Sequence, residues 1–250
     1  MGNIAAFVMV RDEPEMLPVW LRYYTRFVNS SDIYIFDHST CDGSIEEARR
    51  SFSFNLERLD HPVAYDIPWY TEYVKAKQKE LLQSYQVVIF AEVDEILWCP
   101  YGLDKLLKDF ASGSESQLRA LGHELLHLTH EKPMNFGKEI VSQRMYWSRA
   151  QLFDKTLISK IPLDWTGGFH NVKGIEQPVD GKNLRLMHLH YADIDHVRKK
   201  YERCHSYRQK ERPNRLAILK DWESYMETRF VVRLRTCEKL PAWVRTSLTV

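Results

Sequence analysis

The chain has 250 residues, of which 44% are hydrophobic, and can therefore bury one large core, so we expect a single domain. Its 35 basic and 34 acidic side chains nearly cancel, and a net charge of +1 gives no field that would favour nucleic acid as a partner. The four cysteines are scattered without a C-x-x-C pair, which argues against a zinc ribbon and for a reducing compartment.

The apolar runs of the chain are short. The first one, Ile4–Val10, is too short for a signal sequence and has no basic region before it. No run approaches the roughly 20 apolar residues that cross a bilayer. We therefore expect a soluble, cytoplasmic protein without a membrane span.

The first hundred residues alternate between strand and helix. Short apolar runs predict strands at Ile4–Val10, at 33–36, near 63–65 and from position 87. Helical spacing of apolar residues predicts helices at about 15–28, Ser44–Ser51 and about 71–85. This order, βαβαβαβ, requires parallel strands joined by right-handed crossovers.

The pattern is less regular after Pro100. Helical segments are predicted at 103–110 and 195–210, and a basic helical stretch at 216–234. We divide the single domain, 1–250, into two parts of about 1–100 and 101–200, followed by a helical extension at 201–250.

The most informative segment is the apolar run that begins at Val87 and ends in Glu92, Asp94 and Glu95. Open α/β sheets bind ligands at the carboxyl ends of their strands. Carboxylates there can hold a hard divalent cation whose other positions are filled by phosphate oxygens. The same spacing also suits a strand that stops at a solvated acidic turn.

Four segments occur in a characteristic order. They are V-R-D-E-P-E-M-L-P-V-W-L at 10–21, D-H-S-T-C-D-G-S at 37–44, E-V-D-E at 92–95, and M-H-L-H-Y at 187–191. This series resembles the nucleotide-sugar glycosyltransferases of the GT-A fold, particularly the family-2-like group with its K/R-N/D-E…L-P-E-W-L, D-x-S-x-D-G-S/T and D-x-D-E motifs. The resemblance covers about residues 4–200. It departs at Glu92, where the group usually carries aspartate.

The resemblance implies an α/β fold with a mostly parallel sheet flanked by helices and a C-terminal helical extension. It implies a metal-dependent enzyme that moves a sugar from a nucleotide-sugar donor, a UDP-sugar, to a glycan or other hydroxyl acceptor with inversion. Residues 1–100 would bind the nucleotide, and residues 101–200 would contact the acceptor and the metal.

The resemblance also assigns a metal and donor site. Mn²⁺ or Mg²⁺ held by Asp94 would neutralise the departing diphosphate. A late histidine completes the metal shell in such enzymes: spacing from Lys200 favours His188, whereas the literal His-Tyr dipeptide favours His190. The charged residues expected at the donor are Arg11, Glu13, Asp37, Lys77, Glu92, Lys199 and Lys200. From the residues alone, Asp37 could instead cap a turn, and the lysines could form solvated helix faces.

An inverting transfer needs a base for the acceptor hydroxyl. Asp164 and His170 are the candidates, with Glu131 and Glu176 as alternatives. The glycine pair at 167 and 168 would let the surrounding loop approach and close over a sugar.

Two other functions compete with this one. His123, Glu124 and His127 form a literal H-E-x-x-H, which on a helix would bind zinc with the glutamate activating water. Gly122 directly before the motif, Pro133 soon after it and the strand-like pattern of 118–129 oppose a helix. The third hypothesis is a domain that binds nucleotide sugars without catalysis.

Overall fold

The computed structural model describes residues 3–63, 66–174, 183–211 and 222–241. Its first half alternates strands and helices: β1 (Ile4–Val10), α1 (Met16–Tyr24), β2 (Ile33–Asp37), α2 (Ser44–Ser51), β3 (Asn55–Arg58), α3 (Ile67–Leu81) and β4 (Val87–Phe90). The four strands are parallel and lie in the order β3-β2-β1-β4. The predicted α/β class is confirmed.

The second half adds strands of both directions and more helices. Its elements are β5 (Glu95–Trp98), α4 (Leu103–Ser112), β6 (Gln117–Leu126), β7 (Tyr146–Arg149), β8 (Lys155–Ser159), β9 (Arg185–His188), α5 (Ile194–Glu211), α6 (Trp222–Met226), a π-helical turn (Glu227–Val231), α7 (Val232–Leu234) and β10 (Cys237–Lys239). Single 3-10 turns lie at Ser30–Asp32, Val141–Gln143, Gln151–Phe153 and Gly167–Phe169. None of the helices within the described ranges is long and apolar enough to cross a membrane.

The sheet is mixed. Its main path runs β10-β7-β6-β8-β4-β1-β2-β3, with β8 antiparallel to both β4 and β6. Strand β9 lies between β5, to which it is antiparallel, and β6, to which it is parallel. This branch brings the end of β9, late in the chain, beside the acidic turn that separates β4 from β5.

The core follows from the apolar strands. Every residue of β1 and β4 is buried, as expected for central strands covered on both faces. Phe7 on β1 packs against Phe90 on β4 with ring centroids 5.1 Å apart. The carboxyl ends of these rigid strands therefore form a fixed edge on which charged residues can be held.

The third strand was predicted in the wrong place. It lies at Asn55–Arg58, parallel to β2, and not near 63–65, of which positions 64 and 65 lie outside the described residues. Only Leu56 of this edge strand is partly buried, so its sequence carries almost no apolar signal. Helix α3 also begins earlier than predicted, because Asp66 accepts a hydrogen bond from the backbone N–H of Trp69 and Pro68 occupies the first turn.

The H-E-x-x-H segment is not helical. His123 and Glu124 lie on β6, and His127 follows the strand. Adjacent residues of a strand point to opposite faces, so the helical geometry that would pair two histidines with the glutamate is not formed. The basic stretch predicted at 216–234 is helical from Trp222 onward, and its part at 216–221 lies outside the described residues.

Candidate functional site

A cavity of about 290 Å³ opens at the edge of the sheet where β1, β2 and β4 end. Side chains from both halves of the chain line it. Six of them were predicted from the sequence: Arg11, Glu13, Glu92, Asp94, His188 and Lys200. They meet because parallel strands present their carboxyl ends at one edge, and because β9 and α5 return to that edge.

Asp94 is an enclosed acid of this cavity, with 11% of its side chain exposed. The ammonium nitrogen of Lys200 lies 3.0 Å from its Oδ2 and 3.0 Å from Oε1 of Glu13. Although burial alone raises the pKa of Asp94, the positive charge of Lys200 is the largest of the effects that lower it well below its ordinary value. The carboxylate is therefore ionised and already has a cationic partner.

His188 and His190 both turn one ring nitrogen toward Asp94. Nε2 of His188 lies 3.7 Å from Oδ1, and Nδ1 of His190 lies 3.9 Å from Oδ2. Their other nitrogens contact Oε1 of Glu124 at 3.1 Å and the hydroxyl of Tyr225 at 2.6 Å, respectively. Burial lowers the pKa of His188, and it lowers the pKa of His190 to about 3, so both rings are neutral at pH 7.

A second lysine holds the other two acids of the turn. Nζ of Lys155, at the start of β8, lies 2.5 Å from Oε2 of Glu92 and 2.6 Å from Oε1 of Glu95. Burial opposes the charge of Lys155, but the two carboxylates raise its pKa above the ordinary value. Glu95 also accepts a hydrogen bond from the backbone N–H of Glu92. Glu92, the departure from the usual aspartate, is therefore fixed by an ion pair.

Neither Lys155 nor Glu124 was predicted as part of the site. Lys155 opens an apolar strand and is 1% exposed, and Glu124 is fully buried within β6. A charged side chain inside a buried strand needs a partner that compensates its charge. A charged residue within an apolar strand pattern was therefore the sequence signal for these two residues. The partners could not be identified from the sequence, because they are 60 and 64 residues away along the chain.

Three of the predicted donor residues lie away from the cavity. Oδ1 of Asp37 accepts a hydrogen bond from the backbone N–H of Thr40 and so stabilises the turn after β2. Lys77 of α3 pairs with Glu57 at 2.8 Å and Glu80 at 3.1 Å, and its ammonium lies over the rings of Phe36 and Tyr73. Lys199 is exposed on α5 and lies 3.7 Å from Glu15.

The two candidate bases lie outside the cavity lining. Asp164 is half exposed, with Oδ1 2.5 Å from Nζ of Lys75, and this hydrogen bond lowers its pKa. His170 follows the Gly167–Phe169 turn, and burial lowers its pKa. The alternative Glu131 accepts hydrogen bonds from the backbone N–H groups of Leu128 and Met145. The other alternative, Glu176, lies outside the described residues.

The contacts of the H-E-x-x-H residues do not form a zinc site. His123 stacks on Trp147 with ring centroids 4.3 Å apart, and His127 contacts the carbonyl oxygen of Glu131. Glu124 contacts His188 and also Arg233 of α7. The glutamate thus supports a residue of the cavity, and the peptidase hypothesis loses its geometric basis.

The residues around Asp94 have the chemistry of a divalent-cation site, although they are not assembled as one. Within the described ranges, no three His, Cys, Asp or Glu side chains are arranged to hold a metal ion. Lys200 pairs with Oδ2 of Asp94, one of the two oxygens of this carboxylate. The donors themselves fit: Asp94 is an ionised carboxylate, and His188 is a neutral imidazole whose outer nitrogen is held by the buried carboxylate of Glu124, as metal-binding histidines usually are.

No protein-family model and no curated protein matches this chain. Among solved structures, a cytidylyltransferase from Leptospira borgpetersenii is 12% identical with a TM-score of 0.32, over 48% of this chain and 54% of that one. Glucosyl-3-phosphoglycerate synthase from Mycobacterium tuberculosis is 12% identical in two complexes. With Mn²⁺, UDP and phosphoglyceric acid, the TM-score is 0.34 over 49% of this chain and 43% of that one. With Mn²⁺, UDP-glucose and glycerol 3-phosphate, it is 0.35 over 49% and 44%.

The chain thus spans about half the length of these proteins. A likeness this distant concerns the arrangement of strands and helices only. It assigns no family or activity to this chain, and the activity is argued from the cavity.

Proposed function

We propose that this protein is a glycosyltransferase that moves a sugar from a nucleotide-sugar donor, a UDP-sugar, to a hydroxyl group of a glycan or other acceptor. The observation that carries the proposal is the cavity at the ends of β1, β2 and β4, in which Glu13, Asp94 and Lys200 meet. Ligands of open α/β sheets bind at this edge. The order of sequence motifs supports the same function.

The reaction breaks the bond between the anomeric carbon of the sugar and the donor diphosphate, and forms a bond to the acceptor oxygen. The leaving diphosphate gains negative charge, so cationic side chains of the cavity would stabilise it. Lys200, Arg203 and Arg11 are the cations that line the cavity. Glu92, fixed by Lys155, would accept hydrogen bonds from hydroxyl groups of the donor.

The proposed cofactor is Mn²⁺ or Mg²⁺, held by Asp94 and by Nε2 of His188, with His190 as the further nitrogen donor. When bound, such an ion supplies Lewis-acid stabilisation of the diphosphate. Glu124 would keep the His188 ring oriented through its other nitrogen. Nitrogen donors favour manganese over magnesium.

The acceptor hydroxyl must lose its proton as it attacks the anomeric carbon, and we keep Asp164 and His170 as the proposed bases. Burial lowers the pKa of His170, so the ring is neutral and can accept a proton. Both flank the loop with Gly167 and Gly168, and Gly168 has the positive φ of 77° that favours glycine. Closure of this loop over the donor would bring them to the reacting atoms.

Isothermal titration tests the proposal directly. We expect UDP to bind and its affinity to rise when Mn²⁺ is present. Asp94→Asn keeps the shape of the side chain but removes its charge, and should therefore abolish the effect of Mn²⁺ on UDP affinity. Asp104→Asn removes a charge from the exposed face of α4 and is the control. Failure of every nucleoside diphosphate to bind, with or without metal, would disprove the proposed function.

A further inference from the structure

Two lysines neutralise the acids of the cavity in the same way, but they differ in accessibility. Lys155 bridges Glu92 and Glu95, and its side chain is 1% exposed. Lys200 bridges Glu13 and Asp94, is 16% exposed, and lines the cavity. Lys155 is therefore enclosed between strands, whereas Lys200 reaches the acids from α5 along a flexible side chain that faces open space.

The groups around Asp94 can accommodate two different cations, the Lys200 ammonium and a divalent metal ion. Its Oδ2 accepts a hydrogen bond from Lys200 at 3.0 Å. Nε2 of His188 lies 3.7 Å from Oδ1, and Nδ1 of His190 lies 3.9 Å from Oδ2, the oxygen that Lys200 also contacts. These distances are too long for hydrogen bonds. A neutral imidazole nitrogen that faces a carboxylate across such a gap can be satisfied by a cation between them.

A divalent ion at Asp94 and the Lys200 ammonium would repel each other strongly, since both are cations in a partly buried site and would share one carboxylate. Lys200 has a second partner in Glu13, also at 3.0 Å. It can therefore leave Asp94 without becoming an unpaired cation. Arg203, 3.8 Å from the other oxygen of Glu13, supplies further positive charge on the same side of the cavity.

We infer that Lys200 is the resident counter-ion of Asp94, and that a divalent cation displaces it and turns its ammonium toward the donor diphosphate. This inference rests on the proposed function. It makes metal and nucleotide binding cooperative: the metal must compete with Lys200 in the nucleotide-free protein, and the diphosphate provides the released ammonium with a new partner. Such coupling is reciprocal, so each ligand raises the affinity for the other.

The first experiment measures Mn²⁺ affinity from the electron paramagnetic resonance signal of free Mn²⁺, with and without UDP. Lys200→Gln keeps hydrogen-bonding capacity but removes the competing charge. We expect it to bind Mn²⁺ at least about tenfold more tightly than the native protein without UDP, within the usual range of coupling. We also expect UDP to raise its Mn²⁺ affinity much less than it does for the native protein. The control, Lys105→Gln, removes an ion-paired ammonium from exposed α4 and should match the native protein.

The second experiment needs no variant of Lys200 and decides the question if Lys200→Gln does not fold. In the native protein, the rate at which an amine-reactive reagent labels Lys200 is followed by peptide mass spectrometry. Mn²⁺ should accelerate labelling, because it releases the ammonium from Asp94, and UDP added afterwards should protect it. Labelling of Lys105 should not change.

The outcomes separate the two proposals. Mn²⁺ affinity in Lys200→Gln that equals or falls below the native value overturns the inference alone. A labelling rate of Lys200 that Mn²⁺ leaves unchanged or slows does the same. Absence of Mn²⁺ binding in all three proteins, with and without UDP, overturns the proposed function and this inference with it.

Discussion

Lys155 illustrates how single residues stabilise this site. Its ammonium lies between Glu92 and Glu95, and Glu95 is fully buried in β5. A buried ion pair adds little stability compared with apolar residues of the same volume. Removing one partner is different, because it leaves a charge without compensation in the interior.

We therefore expect Lys155→Met to lower the free energy of unfolding by about 3–5 kcal/mol, the usual cost of breaking a buried ion pair. Urea denaturation monitored by tryptophan fluorescence measures the loss. The double variant Lys155→Met with Glu95→Gln removes the uncompensated charge and should recover part of it. Lys105→Met, on the exposed face of α4, is the control for removing a lysine. A loss below 1 kcal/mol in Lys155→Met would contradict the buried ion pair.

At the level of single residues, the sequence predicted the acids of the cavity better than their partners. Glu13 and Asp94 lie within four residues of the ends of the apolar strands β1 and β4, so local pattern and the position of strand ends were enough. Lys199 has the same residue type as Lys200 but is exposed on α5, and Lys77, although as enclosed as Lys200, pairs with Glu57 instead of reaching the cavity. Which lysine of a helix reaches a cavity depends on how that helix packs, and the sequence did not contain this information.

Among the elements, β6 has the most partners. It pairs with β7 and with β8, and it also pairs in parallel with β9. Gly122 lies in the middle of it, where the 3-10 turn Gln151–Phe153 crosses closely. A Cβ atom at Gly122 would lie 2.5 Å from the backbone carbon and the Cβ atom of Phe153, which is too close for any real contact.

Gly122→Ala should consequently destabilise the protein by about 1–3 kcal/mol, the cost of forcing extra volume into a packed interior. It should also weaken Mn²⁺ binding, since Phe153 stacks on His188 with ring centroids 4.1 Å apart and must move. Thermal unfolding and Mn²⁺ titration measure the two effects. Gly137→Ala is the matched control, because its Cβ would approach only a flexible Asn135 side chain. Equal behaviour of the two variants would argue against the close crossing at Gly122.

Elements were predictable where burial left a strong pattern. Strand β1 is buried throughout and was predicted with its observed bounds, whereas the exposed edge strand β3 was missed. The H-E-x-x-H letters fit a helical motif, but the strand-like sequence pattern of 118–129 agrees with the strand β6 that the structure has. A match to a short motif is thus weaker evidence of secondary structure than the residue pattern of the segment that contains it.

At the scale of the whole molecule, buried neutral histidines make stability depend on pH. Burial lowers the pKa of His123 to about 4 and that of His190 to about 3, whereas an unfolded histidine titrates near 6.5. Between these values the unfolded chain binds protons that the folded protein does not. The stability that these neutral histidines contribute is therefore fully present above about pH 6.5. It is lost as the pH falls toward their pKa values in the folded protein.

His123→Gln removes one of these groups. The native protein should lose about 2 kcal/mol more than this variant when the pH falls from 7 to 5, which is the linkage contribution of one histidine shifted to about 4. Urea denaturation at the two pH values measures the difference. His130→Gln, which changes an exposed ring, is the control. Equal losses in the native protein and His123→Gln would show that His123 does not contribute to the pH dependence.

The distance in sequence between the acids and their lysines affects how the chain emerges from the ribosome. Lys155 follows its partner Glu95 by 60 residues, and Lys200 follows Asp94 by 106 residues. At synthesis rates of about 5–20 residues per second, the interval before Lys200 appears is roughly 5–20 seconds. Until Lys155 appears, 60 residues after Glu95, the nascent N-terminal half carries four carboxylates at its strand ends and neither lysine. Water must solvate this turn until both lysines have been synthesised, so the binding site is completed later than the parallel strands that carry its acids.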